Sequence, residues 1–298
     1  MVSIDRDKLY DGLLGLAIGD ALGVPAEFMT RKHLNRKPIT DMINGGCWDQ
    51  PAGTWSDDTS MTLATIDALN KNDWIINKDT LIDIMINFVK WERHGKFAAH
   101  ENRFDIGNTC LEAIDNFSVN KNPYTCGVTG DKRCGNGALM RILPCIYIES
   151  DMDILSVSRL THDNETCDLA SLAYTAYAKE LMNGKDKYEA LGVIREIIDK
   201  NPAYNKTLYK LFNNVGENEI YSTGYVVDTF EAAIWCVLNT DNYKDCVLKA
   251  VNLGDDTDTV AAIAGGLAGL YYGKDKIPTE WVSTLRDIGT LKRICFNE

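Results

Sequence analysis

Histidine is scarce in this chain: four in 298 residues, against nine cysteines with no CxxC pair and no tight Cys/His group. A histidine-based zinc site is therefore hard to build. The odd, scattered cysteine count reads as reduced thiols in a cytoplasm-like compartment rather than a disulfide framework. Basic runs are also missing. With 31 Lys+Arg against 43 Asp+Glu the net charge is −12, which repels phosphate backbones and anionic membranes, so neither nucleic acid nor a membrane is expected as a general partner. The N-terminus, MVSIDRDKLYDG, has no apolar h-region of a signal peptide. Strand alternation and hairpin turn signals are few.

Helical patterning fills the space. Segment 188–199 puts Leu191, Ile194, Ile197 and Ile198 on one face. Segments 81–89 and 225–238 are apolar nearly all round and read as interior helices. Pro202, Pro278 and Gly184 punctuate the pattern. The expectation is one all-α domain spanning residues 1–298, with roughly a dozen helices at typical lengths. Two long loops, 24–55 and 117–135, interrupt it, and loops of that length in a compact domain are usually functional or disordered.

Acidic residues gather where basic ones are absent. "WSDDTSM" (55–61) opens one apolar helix, expected over Thr59 to Leu69, and "GDDTDT" (254–259) opens another. No Lys or Arg lies between Gly53 and Asn70 or between Val251 and Gly273. Helix capping accounts for one such side chain per helix, and a helix N-terminus stabilises negative charge by only ~0.3–1 kcal/mol at exposed sites. Several buried carboxylates need more, because each unpaired buried charge costs several kcal/mol. An external cation would supply it. Carboxylates and hydroxyls are hard donors suited to Mg²⁺, Mn²⁺ or Ca²⁺, and two clusters brought together could hold two ions roughly 3.5–4 Å apart. A third motif, "GLLGLAIGDALGVPAEF" (12–28), adds Asp20 and Glu27 near the end of a tightly packed helix. A carboxylate beside a metal site is a natural general acid or base.

With "DIGNT" (105–109), "GNGALMRILP" (135–144) and "TH" (161–162), these motifs resemble, in order and over nearly the whole chain, the ADP-ribosylglycohydrolase family. The resemblance implies an all-α, orthogonal multi-helix domain with a central binuclear site for two Mg²⁺ or Mn²⁺ ions. It implies Ser56, Asp57, Asp58, Asp256, Asp258 and Thr259 as metal ligands, with Ser56 standing where many members have Thr. Asp255, where many relatives have Gly, is left as a spare. Glu27 and Asp258 are the implied catalytic residues, and Asp20 is left structural.

Substrate-facing positions implied are Asp105 and Gly107, Gly135-Asn136-Gly137 approaching a diphosphate, and His162 near the adenine or ribose. Simpler alternatives remain open at this point: a helix cap at Asp105, a helix-entry turn at 135–137 and a core histidine at His162. Arg133-Cys134 and Asp163-Asn164-Glu165 depart from the family's usual flanking residues.

The implied reaction is removal of ADP-ribose from a modified acceptor, foremost an arginine on protein. Serine, nucleic-acid or free ADP-ribosyl substrates are the alternatives. The chain is expected to act as a monomer. A histidine-aspartate phosphohydrolase, built on His162-Asp163, would need further histidines, and His33, His94 and His100 are not placed to help. A non-catalytic binding protein of the same family is the other alternative.

Overall fold

The structure is a computed structural model, and it describes residues 3–100, 102–200 and 209–298. Among the described residues there are thirteen α-helices and no strand, only isolated bridges such as Val128 with His162 and Gly135 with Tyr225. Pro202 lies outside the described residues.

Two buried helices form the axis. Helix α1 (Arg6–Gly23) starts at Asp5, whose side chain accepts from Lys8 N, and is buried from Leu9 to its end. Helix α11 (Thr257–Tyr272) is buried from Thr257 to Leu270. They cross with backbones in contact. A Cβ on Gly15 would lie 2.3 Å from the Gly265 carbonyl oxygen, and one on Gly19 would lie 2.0 Å from that of Ala261. Only glycine allows such an approach. The segment Arg6–Ala26 is long and apolar enough to cross a membrane, yet its apolar stretch from Leu9 onward is buried within the fold.

Helix α3 (Asp57–Lys71) packs beside this pair. It begins two residues earlier than the pattern predicts, because Ser56 rather than a later residue is the N-cap and accepts from Asp58 N. Helix α4 (Lys78–His94) covers α3, and here the sequence expectation fails. Ile86 is exposed while Ile84, Met85 and Phe88 are buried, so α4 is amphipathic and not interior. Its apolar solvent face misled the reading of 81–89.

Helix α5 (Asn108–Asn120) shortens the second long loop, ending at Lys121 in the left-handed region. Helix α8 (Leu191–Asp199) starts three residues later than expected, since 188–190 form a turn anchored by Asp186. Helix α9 (Val226–Leu238) is interior as read, and one continuous apolar core joins it to α1, α3 and α11. All nine cysteines are free thiols, with only Cys47 exposed.

Candidate metal centre and active site

The N-termini of α3 and α11 and the C-terminal turn of α1 converge. Asp20, on α1, accepts from Ser56 N (2.8 Å), Thr59 N (3.0 Å) and Thr59 Oγ1 (2.6 Å). It thereby satisfies the first turn of α3 from across the fold, which is the role an N-cap would play locally. Thr259 Oγ1 donates to Asp58 Oδ2 at 3.4 Å, and Ser56 Oγ donates to the same oxygen at 3.0 Å, so both helix starts meet at Asp58.

Capping does not explain the remaining acids. Asp256 sits at the N-cap position of α11, but its side chain caps nothing. Its Oδ2 instead accepts from Asn136 Nδ2 at 2.8 Å. Asp58 Oδ1 and Asp258 Oδ2 are buried with no hydrogen-bond partner. Orphaned buried carboxylate oxygens are costly and call for an explanation.

Their titration follows from the same crowding. Burial and neighbouring carboxylates push Asp57, Asp58 and Asp258 well above the usual carboxylate range. Burial likewise raises Asp256, against donors that include Asn136. Burial lifts Asp20 to about 6 despite its donors from Ser56 and Thr59. Asp105 rises to about 7 through burial and the charges of Asp256 and Asp20. Glu27 rises to about 8 through burial and Asp105, opposed by a hydrogen bond from the Trp48 indole.

The donor set fits divalent cations bound through oxygen. Carboxylate oxygens of Asp20, Asp58 and Asp258 lie within 4.8 Å of one another, and so do those of Glu27, Asp105 and Asp258. Asp258 belongs to both groups. Asp57 and Asp256 stand outside both; Asp57 lines the adjoining cleft and Asp256 is held by Asn136. Asp255 is exposed, with its backbone in the left-handed region and paired to Phe28 and Met29.

The cleft has a volume of about 740 Å³ and opens onto this cluster. Glu27, Asp57, Asp105 and Asp256 line it, as do Lys132, Arg133, Gly135, Asn136, Gly137 and His162. A second depression of about 730 Å³, near Asn35 and Asp241, has no comparable convergence of buried acids.

At the 135–137 turn one backbone amide is already committed within the fold. Asn136 N donates to Gly224 O, and Val226 N donates to Cys134 O, pinning the turn against the start of α9. A Cβ on Gly137 would lie 2.6 Å from Cys110 Sγ and 2.9 Å from His162 Cε1, so packing alone demands glycine there. Asp105 is not the cap of α5; Gly107 holds that position. His162 is buried, and its Nδ1 lies 2.9 Å from Thr161 Oγ1.

Sequence reasoning passed over two residues here. Trp48, on the first long loop, donates to Glu27 and stacks at a tilt on Phe104, with ring centroids 5.9 Å apart. Nothing local in "GGCWDQ" marks it. Arg141 is fully buried and donates to Thr161 Oγ1 at 2.8 Å. Its position inside the apolar "GALMRILP" was the available signal.

The comparisons with known proteins agree with this fold. Residues 1–297 match the ADP-ribosylglycohydrolase family. The chain is 35% identical over 286 residues to "ADP-ribosylarginine hydrolase Tri1" of Pseudomonas putida (strain GB-1), covering 93% of this chain and 73% of that one. It is 32% identical over 293 residues to "ADP-ribosyl-[dinitrogen reductase] glycohydrolase" of Rhodospirillum rubrum, covering 94% and 90%. A solved structure titled "ADP-ribosylglycohydrolase-related protein complex" superposes with a TM-score of 0.81 at 27% identity, covering 97% of this chain and 96% of that one. The all-α architecture is thus a shared one, and this chain belongs to the ADP-ribosylglycohydrolase family.

Proposed function

We propose that the cleft hydrolyses the N-glycosidic bond joining C1″ of ADP-ribose to an arginine side chain of a modified protein. The observation that carries this reading is the set of buried carboxylates with orphaned oxygens, clustered through Asp258 with Glu27 and Asp105, which line a cleft that also presents Lys132, Arg133 and His162. The two chemistries match the two ends of the substrate, a ribose diol and an anionic diphosphate. The names of the relatives, ADP-ribosylarginine hydrolase and ADP-ribosyl-[dinitrogen reductase] glycohydrolase, support a protein-linked ADP-ribose, with arginine as the acceptor.

Ser56, Asp57, Asp58, Asp256, Asp258 and Thr259 would hold two divalent ions, Mg²⁺ or Mn²⁺, with Asp20 within reach of the same centre. When bound, such ions supply orientation of the ribose hydroxyls and polarisation of a water. The chain's own groups do the rest. Glu27, which burial and Asp105 raise to about 8 in the metal-free fold, is placed to give a proton to the departing nitrogen as the C1″–N bond breaks. Trp48 holds the Glu27 carboxyl in place. The surrounding carboxylates stabilise positive charge developing on the ribose. Asp105 faces the cleft where a guanidinium could be gripped, a pairing that suits arginine better than lysine or serine.

Gly107, whose Cβ position meets nothing within 4 Å, leaves room for the ADP-ribose, Gly135 and Gly137 line the same wall, and His162 supplies a polar edge. The 1–298 chain is proposed to work as one domain and as a monomer in a reducing, cytoplasm-like compartment, in keeping with its free thiols.

The test is release of ADP-ribose from arginine-, serine- and nucleic-acid-linked substrates, with Mg²⁺ and with EDTA. Release from arginine alone, abolished by EDTA, is expected. Release from serine alone would overturn the acceptor, and release from none would overturn the activity.

A further inference from the structure

Behind the cleft wall a cation is buried without an anion. Arg141 is 0% exposed, and its guanidinium lies over the Phe88 ring at 4.9 Å from the centroid. Its hydrogen bonds run to the carbonyls of Val157 and Ser158 and to Thr161 Oγ1, and no carboxylate pairs with it among the described residues. Burying an unpaired charge is expensive, so its position asks for a reason.

Thr161 links it to the cleft. The same Oγ1 that accepts from Arg141 at 2.8 Å lies 2.9 Å from His162 Nδ1. On the far side of the ring, His162 Nε2 faces Gly135, where a Cβ would come within 3.2 Å of it, and His162 lines the cleft. We propose that Arg141, acting through Thr161, is a positioning residue that holds His162 with its proton on Nε2, so that the wall beside Gly135 and Gly137 offers a hydrogen-bond donor to the cleft. What meets that donor rests on the proposed substrate class: an oxygen of ADP-ribose, which is anionic and has acceptors throughout its length.

Two arguments support the direction. A guanidinium only donates, so Thr161 Oγ1 accepts from it, and the hydroxyl proton is then given onward. The imidazole Nδ1 is a stronger acceptor than the thiol of neighbouring Cys110. The field of the cation acts the same way. Nδ1 is the ring nitrogen joined to Arg141 through the Thr161 hydroxyl, and a positive charge disfavours a proton on the nitrogen that faces it. The charges are in place at neutral pH: burial lowers Arg141 only to about 10, and burial with the Arg141 charge lowers His162 to about 3, so the ring is neutral.

Nitrogen-15 NMR of the full chain with Mg²⁺ present reads the tautomer directly, and His162→Gln identifies the signal among four histidines. The wild type is expected to show a bare Nδ1 and a protonated Nε2. Thr161→Val and Arg141→Met are each expected to populate the Nδ1–H form and to weaken free ADP-ribose binding about tenfold by calorimetry, the worth of one hydrogen bond to a charged group. Thr161→Ser is expected to keep the wild-type tautomer. A wild-type proton on Nδ1, or an Nε2–H tautomer unchanged in folded Thr161→Val and Arg141→Met, would overturn the proposal. Should either variant fail to fold, the wild-type spectrum decides. Wild-type protein that binds no ADP-ribose would overturn the substrate reading, while the nitrogen shifts still judge the tautomer.

Discussion

Two parts of this fold bury charge, and they do so in opposite ways. Around Arg141 the chain supplies most of what the cation needs: backbone carbonyls, one hydroxyl and an aromatic face, with only Nε left without a partner. At the meeting of α1, α3 and α11 it supplies too little. Asp20 has three donors, but Asp58 Oδ1 and Asp258 Oδ2 have none. The first arrangement satisfies both terminal guanidinium nitrogens from within the chain. The second is completed by a cation from outside, and that difference separates a positioning charge from a binding centre.

The comparison breaks most sharply under substitution of a ligand. Asp258→Asn is expected to lower ADP-ribose release by more than about 100-fold, since losing even an outer-shell partner commonly costs 10–100-fold. Mn²⁺ affinity measured by calorimetry should fall with it. The same variant, stripped of metal, should melt a few degrees higher than wild type, because a crowded buried acid has been removed. Arg141→Met should do the reverse to stability, losing about 1–3 kcal/mol in denaturant unfolding as the Val157 and Ser158 carbonyls go unpaired. Equal signs for the two stability changes would collapse the contrast.

pH gives the next test. Asp20, Asp105 and Glu27 titrate at about 6, 7 and 8 in the fold, all above the ordinary carboxylate range near 4. A raised folded value means that the fold binds the proton more tightly than the unfolded chain does. The stability they contribute is therefore present below about pH 4 and lost as pH rises to about 8. Metal-free protein should melt progressively lower across that window, and added Mg²⁺ should raise the melting temperature more at pH 8 than at pH 5. A flat metal-free profile would refute the crowding.

Smaller effects refine the picture. Trp48→Phe removes a donor to the Glu27 carboxylate, so the Glu27-linked limb of the pH–rate profile should move to higher pH. Asp255→Asn should leave activity and Mn²⁺ affinity within about twofold. Asp255 is exposed and its left-handed backbone suits Asn equally well.

Much of this centre was legible in the sequence because its acids sit in short motifs at helix starts, where charge without a nearby base is conspicuous. Ser56 to Thr59 and Gly254 to Thr259 announce themselves in that way. Asp20 did not, since its partners Ser56 and Thr59 are 36 and 39 residues away and no period in α1 points to them. Trp48 and Arg141 were missed for the same reason: each acts through a contact made only when distant segments meet. In the fold, 81–89 was misread because α4 exposes Ile86, an apolar residue on the solvent face that pattern alone assigns to a core.

The crossing of α1 and α11 carries a consequence for what the reaction demands of its gene. A Cβ at Gly23 would fall 2.3 Å from the Cα of Asp258, and one at Gly269 would fall 2.2 Å from the Asp11 carbonyl oxygen. No side chain lies between these backbones to absorb an adjustment, so the spacing of Asp20 from Asp258 is inherited from the thickness of the main chain itself. The set of positions that heredity must guard for this chemistry therefore extends well past the acids, to glycines that bring no functional group of their own.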